Sequence, residues 1–241
     1  MNRNRVIVLG FFDGVHLGHA ALLAKTRKLA DALSLPACAM SFDVHPAALI
    51  AGQSVPLLGT VDDRAFLLHT RGDMDEVVFA RFDRAMMTMP WQDFVRNYLI
   101  NELHAAHVVC GHDYRFGWHG EGTAKLLQRE CAALDIGCDV IGKVELCGVT
   151  VSSTHIRALL SAGDMENACR FLGHPHLLSG VCRGGIVPFA PGVLAPMAGT
   201  YQAQIEGGGR FGGSVEVLPD GIAVGPMADG QHLRIWLEKR L

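Results

Sequence analysis

An α/β chain built on a parallel sheet, followed by a small β-rich unit, is what this sequence predicts. Three observations carry that reading. Short apolar runs alternate with helical patterns as far as residue 175. A Gly-rich turn, Gly10-Phe11-Phe12-Asp13-Gly14, separates the first apolar run from the first helical pattern. Beyond residue 178 the composition shifts to Gly and Pro with short alternating segments.

The elements follow in order. Val6-Ile7-Val8-Leu9 lies in a strand over residues 5–9, and residues 18–33 read as a helix with basic residues on one face. Pro36 ends it, and residues 37–42 form the second strand. Residues 61–70 read as a helix with Asp62 and Asp63 in its first turn, where the helix dipole favours acids. A strand over 76–80, a helix over 90–103 opened by Pro90, a strand over 107–111, a helix over 122–134 and a strand over 138–141 complete the alternation. Such β–α repetition predicts parallel strands with helices on both faces. Ligands in such sheets bind beyond the carboxyl ends of the strands, so the turns after residues 9, 41 and 111 are expected to converge on one site. In the tail, runs at 180–182, 199–205, 214–218, 221–224 and 232–237 read as strands, with turns at Gly207-Gly208-Gly209 and Pro219-Asp220-Gly221. The expected division is therefore residues 1–178 and 179–241.

Composition narrows the function classes. The chain has 241 residues, 49% hydrophobic and 19% charged, enough for a core and too apolar for disorder. Its net charge of −3 offers no basic footprint for nucleic acid. No apolar run reaches the ~20 residues that span a bilayer. The first residues enter a strand directly, without a signal-peptide apolar region, so a cytoplasmic location is expected. The seven cysteines include no Cys-x-x-Cys and read as free thiols, mostly in apolar surroundings. The pairs His104/His107, His112/His119 and His174/His176 lack completing ligands, and no metal site is expected among them.

Two stretches carry chemistry. After the Gly-rich turn come His16-Leu17-Gly18-His19, at the point where a strand-turn-helix aims backbone N–H groups at a phosphate. His16 and His19 can donate to phosphoryl oxygens, and Gly18 allows close approach. The second stretch is Val151-Ser152-Ser153-Thr154-His155-Ile156-Arg157, just before a helical pattern. Its hydroxyls can cap that helix, or they can bind phosphate oxygens together with the planar donor fork of Arg157. Two phosphate-binding helix starts suit a reaction with one reacting and one departing phosphate group.

Further motifs follow the same order: Ser41-Phe42-Asp43-Val44-His45-Pro46, Gly111-His112-Asp113-Tyr114-Arg115-Phe116-Gly117, Leu159-Leu160-Ser161-Ala162-Gly163-Asp164-Met165-Glu166-Asn167-Ala168 and Leu172-Gly173-His174-Pro175. Over residues 5–182 the chain resembles the adenylyltransferase module of the bacterial riboflavin kinase/FMN adenylyltransferase (FAD synthetase) family. Members are Rossmann-like nucleotidyltransferases of the His-x-Gly-His class. The resemblance implies FMN and ATP as substrates, Mg²⁺ accompanying ATP, and FAD and pyrophosphate as products. It implies that His16, His19 and Arg157 are catalytic. Gly10, Phe12, Asp13, Gly14, Gly18, Asp113, Ser152, Ser153 and Thr154 would then bind nucleotide. Phe42, His45, Pro46, Tyr114, Arg115 and Phe116 would bind flavin, although core packing accounts equally for Phe42 and Phe116.

The sequence also departs from that family. Phe11 stands where the family often has a small polar residue, and Ala20 replaces a frequent Gln. The loop Trp118-His119-Gly120-Glu121-Gly122 lacks a basic residue often found there. In the tail the kinase module's Pro-Thr-Ala-Asn segment is missing, so a shortened β-barrel without riboflavin kinase chemistry is expected. Two alternatives stay open: a nucleotidyltransferase with another phosphorylated acceptor, and a flavin- or nucleotide-binding pseudoenzyme.

Overall fold

The computed structural model describes residues 4–50, 52, 54–225 and 229–241. The first three residues of the predicted entry into strand one lie outside that set. By packing, the chain divides into two compact units. One comprises Met1–Phe12, Gly18–Val55 and Leu67–Val144; the other comprises Asp13–Leu17, Pro56–Phe66 and Glu145–Leu241. The spatial division thus interleaves the sequence, where composition had suggested a single boundary after residue 178.

In the first unit, β1 (Arg5–Leu9), β2 (Ala37–Phe42), β3 (Glu76–Ala80), β4 (Ala105–Gly111) and β7 (Gly137–Ile141) form a parallel sheet in the order β3-β2-β1-β4-β7. The hairpin strands β5 (Arg115–Phe116) and β6 (Gly122–Thr123) pair separately. Val6 to Leu9 are all buried, as are Ala37 to Met40, because strands covered on both faces need continuous apolar sequence. The order reverses at β1, which lies between β2 and β4. The turns following β1, β2 and β4 therefore leave the sheet side by side at the position where such sheets bind ligands.

The connecting helices are α1 (Leu17–Leu33), α2 (Pro46–Ile50), α3 (Val61–Thr70), α4 (Arg84–Met87), α5 (Trp91–Asp93) and α6 (Ala124–Ala133). On α1 the buried residues Leu23, Thr26 and Ala30 recur at helical spacing. Two helices depart from the sequence reading. The expected helix over 90–103 is one α turn followed by a wider helix, Phe94–Glu102, in which Leu103 N donates to the carbonyl of Tyr98, five residues back. Such π-type turns are rare. The helix expected from residue 122 begins at Ala124, capped by Thr123, whose hydroxyl accepts from Leu126 N at 3.2 Å. Gly122 instead pairs with Phe116, and a Cβ on Gly122 would lie 2.7 Å from that ring.

The second unit holds the short hairpin β8 (Glu145–Leu146) and β9 (Val149–Thr150), then helices α7 (Ser153–Ser161) and α8 (Met165–Leu172). An antiparallel six-stranded sheet follows: β10 (His176–Val181), β11 (Ile186–Pro188), β12 (Gly199–Glu206), β13 (Arg210–Val217), β14 (Gly221–Ala223) and β15 (His232–Arg240), in the order β10-β15-β12-β13-β14-β11. It is nearly closed, for a Cβ on Gly180 of β10 would touch Val187 of β11 at 2.8 Å. Tyr201, Ala203 and Ile205 point inward while Gln202 does not, the alternation read from the sequence. Helix α8 and strand β11 were not separated from loop by the sequence. Asp164 caps α8, accepting from Asn167 N at 3.2 Å, and Gly173 ends it with φ 81°.

Candidate active site

In the second unit the turn Asp13–Val15 is pinned from three directions. Asp13 is 2% exposed and accepts from Leu58 N and from Arg157 Nη2, both at 2.8 Å. The Ser153 hydroxyl donates to the Asp13 carbonyl at 3.0 Å. The His174 ring lies 3.1 Å from the Gly14 carbonyl. Gly14 takes φ 75°, and a Cβ there would meet Leu58 at 2.6 Å, so only glycine fits. Burial pushes the Asp13 carboxyl up, against which the Leu58 N–H and then the Arg157 charge pull it down.

His16 is 6% exposed, and burial takes it down to about 4; the charges of His174 and Arg157 act in the same sense. It is therefore a neutral imidazole at pH 7, with one N–H to donate. At the start of α7, Ser152 accepts from His155 N at 3.2 Å and caps the helix, while Thr154 is exposed in the first turn. Arg157 spends Nη2 on Asp13, and its buried Nε makes no hydrogen bond. Thus the capping reading holds for Ser152, and Ser153, Asp13 and Arg157 organise the turn.

In the first unit the same loop begins at Gly10, whose N–H donates to the Met40 carbonyl at 3.2 Å. Phe12 was expected at the nucleotide. It is fully buried with φ 59°, its ring edge-on to His19 at 5.2 Å, so its side chain anchors the loop rather than facing a ligand. Gly10 makes room for that ring, which would lie 2.8 Å from a Cβ. Phe11 packs edge-on against His45 at 4.6 Å, and Ser41 Oγ donates to the Phe11 carbonyl at 2.9 Å. Asp43 Oδ1 accepts from Phe82 N at 2.8 Å and from Val44 N at 2.9 Å, fixing the loop after β2.

Beyond the ends of β2 and β4 lies a cavity of about 650 Å³, within the range of small-molecule sites. Phe42, Pro46, Tyr114, Arg115 and Phe116 line it; His45 does not. Tyr114 stacks on Phe116 at 5.7 Å and Phe42 meets Phe82 edge-on at 4.9 Å. Burial pushes the Tyr114 phenol above its usual range, so its hydroxyl stays protonated. Sequence reasoning missed Leu49, Ile50, Phe82, Met86 and Trp118, which also line the cavity. Asp113 is exposed beside it in sequence, and Gly18 lies in the first turn of α1.

Among the described residues, no cluster of three or more His, Cys, Asp or Glu side chains is arranged to hold a metal ion. All seven cysteines are free thiols; Cys38, Cys110, Cys131 and Cys182 are buried, whereas Cys147 is exposed. No helix among the described residues is long and apolar enough to cross a membrane.

Residues 1–155 match the family described as FAD synthetase. The chain is 34% identical over 179 residues to the bifunctional riboflavin kinase/FMN adenylyltransferase of Listeria monocytogenes, a match covering 73% of this chain and 56% of that one. Against the Escherichia coli K12 protein of the same description it is 34% identical over 178 residues, and against that of Bacillus subtilis 28% over 220 residues. The matched region spans little more than half the length of the Listeria and E. coli relatives. A crystal structure described as a macrolide-efflux protein from Streptococcus pneumoniae superposes with a TM-score of 0.84 at 23% identity, over all of this chain and 86% of the other, which is a likeness of fold.

Proposed function

The chain belongs to the FAD synthetase family, and we propose that it transfers the adenylyl group of ATP to FMN, forming FAD and pyrophosphate. The observation that carries the reading is the aromatic-walled cavity of about 650 Å³ beyond the strand ends, sized and lined for a planar tricycle. An FMN phosphate oxygen attacks the α-phosphorus in line, and the bond to the β-phosphate oxygen breaks. No covalent enzyme intermediate is required, so the protein's task is positioning and charge stabilisation.

In this reading, neutral His16 donates a hydrogen bond to a phosphoryl oxygen as charge builds. His19, in the first turn of a 17-residue helix, does the same where the helix dipole favours an anion. Gly18 lets the nucleotide approach the backbone, while Gly10 and Gly14 shape the loop around it. Thr154 and the start of α7 receive the departing phosphates, with Ser152 and Ser153 setting that turn's geometry. Arg157 holds Asp13, and so the turn, while its charge faces the phosphates. Asp113 and Arg115 flank the nucleotide and FMN phosphate, and Phe42, Pro46, Tyr114 and Phe116 enclose the flavin, with His45 supporting the loop.

Mg²⁺ belongs to the reaction as the partner of ATP. Asp13, the acidic residue of the turn, is occupied by Leu58 and Arg157, so the ion would be held by phosphate oxygens rather than by a protein cage. Bound there, it would neutralise charge on the phosphates. Residues 179–241 are proposed as a kinase-like β unit without riboflavin kinase activity. Between Val181 and Gly199 the chain has no Pro-Thr-Ala-Asn segment to cradle ATP.

The test is chromatographic. Flavin-free protein with Mg²⁺ receives FMN plus ATP, and separately riboflavin plus ATP. FAD from the first and no FMN from the second is the expected result. ATP binding without FAD would point to another phosphorylated acceptor or to a pseudoenzyme. FMN from riboflavin would overturn the reading of the tail.

A further inference from the structure

His174 contacts two backbone carbonyl oxygens with its two ring nitrogens. Nε2 lies 3.1 Å from the Gly14 oxygen and Nδ1 lies 2.7 Å from the Pro175 oxygen, both within hydrogen-bond distance. A carbonyl oxygen only accepts. Each nitrogen must therefore carry a proton, and only the imidazolium carries both. The residue is 8% exposed, so water does not substitute for these partners. Its placement is built in: Gly173 ends α8 with φ 81°, and a Cβ there would strike Leu17 at 2.5 Å, so the chain turns sharply and delivers His174 under the Asp13–Val15 turn.

The titratable neighbours are arranged to suit one cation. His16 faces it from the turn and His176 from β10, both kept neutral chiefly by burial and further by the charge of His174. The indole of Trp236 covers it from β15, edge-on at 6.2 Å. Across the turn lies Asp13, already paired with Arg157. Burial and the neighbouring charges thus hold His16 neutral beside the turn whose Gly14 carbonyl His174 contacts.

We propose that His174 is a positioning residue that works as an imidazolium: it holds the Gly14 carbonyl by a charge-assisted hydrogen bond, fixes the turn carrying Asp13 and His16, and releases that turn on losing its proton. A neutral imidazole can keep only one of the two bonds, and its bare nitrogen would face a carbonyl lone pair. Activity is therefore present at neutral pH and falls as pH rises through the deprotonation of His174. The activity consequence rests on the adenylyl-transfer reading; the protonation state does not.

The first measurement is ¹⁵N spectroscopy of the histidine rings of the full chain at pH 7, with His174 assigned by its loss in His174→Gln. Both ring nitrogens protonated is the expected result, and a neutral tautomer overturns the proposal. The second is the pH profile of FAD formation. His174→Arg, a permanent cation, should move the alkaline fall in kcat upward, whereas His174→Gln should lower kcat about tenfold or more at pH 7 with a smaller change in KM. A wild-type alkaline limb in His174→Arg also overturns it. Failure of the wild-type protein to form FAD would count against the proposed reaction, and the ring spectrum would then decide on His174 by itself.

Discussion

Asp13 Oδ2 and Arg157 Nη2 meet at 2.8 Å, although 144 residues separate them in the sequence. The pair joins the start of the Gly-rich turn to the helix that follows Ser152, so two motifs read separately in the sequence form one mechanical unit. Arg157→Met would leave the Asp13 carboxylate buried without its counter-charge. Breaking a buried pair from one side costs about 3–5 kcal/mol. Asp13→Asn keeps an acceptor for Leu58 N and removes the charge, so the double variant should recover a large part of the loss. Urea unfolding of the four proteins measures the coupling. Simple additivity of the two single changes would refute the pairing.

His16 makes the second unit acid-sensitive. Its folded value of about 4 lies below the ordinary imidazole value of about 6.5, so between those pH values the unfolded chain binds more protons. The stability contribution is complete above about 6.5 and is lost as pH falls toward 4, by on the order of 3 kcal/mol. His16→Asn removes this titration. The unfolding free energy of the wild type should drop between pH 7 and pH 4.5 by more than that of the variant; parallel declines would contradict the buried, neutral assignment.

Much of the frame was legible because parallel strands buried on both faces must be continuous apolar runs. Val6 to Leu9 and Ala37 to Met40 stand out for that reason, and β1, β2, β3 and α3 have the bounds the sequence suggested. The two glycine turns of the tail were legible for a similar reason: Gly207 N donates to Gly209 O, and Leu218 N to Gly221 O, bonds that local sequence dictates. Non-local and solvent-dependent features were not. The Phe94–Glu102 helix is wider than the α-helix its sequence pattern suggests. Phe12 carries the same letter whether it faces a ligand or the core, and only its positive φ and full burial distinguish the two. Leu49, Ile50, Phe82 and Met86 belong to no motif, and the loops after β2 and β3 bring them to the cavity.

Gly117 should be the least tolerant position of the loop that walls the cavity. Its φ of 74° and ψ of −179° fall in a region almost confined to glycine, and a Cβ would lie 2.6 Å from Trp91 Cα and 2.8 Å from Trp91 N. Those are backbone atoms that no rotamer change can move. Gly117→Ala is expected to cost about 2–3 kcal/mol or to displace the Arg115–Phe116 hairpin strand. A melting temperature equal to that of the wild type, with flavin affinity retained, would show that the loop accommodates the methyl group.

Ile50 offers a test of the proposed flavin site that leaves folding aside. It lines the cavity yet is 64% exposed, so its side chain contributes little to the core. Substitution at such a surface position changes stability by about 0.5 kcal/mol or less. Ile50→Asp replaces apolar surface at the mouth with a carboxylate that must be desolvated, or face a bound anion, when FMN enters. The expected outcome is an unchanged melting temperature together with a roughly tenfold weaker FMN affinity, read from the quenching of flavin fluorescence on titration. ATP affinity serves as the control, because the phosphate-directed residues lie elsewhere in the sequence. Equal weakening toward FMN and ATP would mean that the substitution acts through the fold. Unchanged FMN binding would mean that the cavity beyond β2 and β4 is not the flavin site, and the assignment of Phe42, Tyr114 and Phe116 would fall with it.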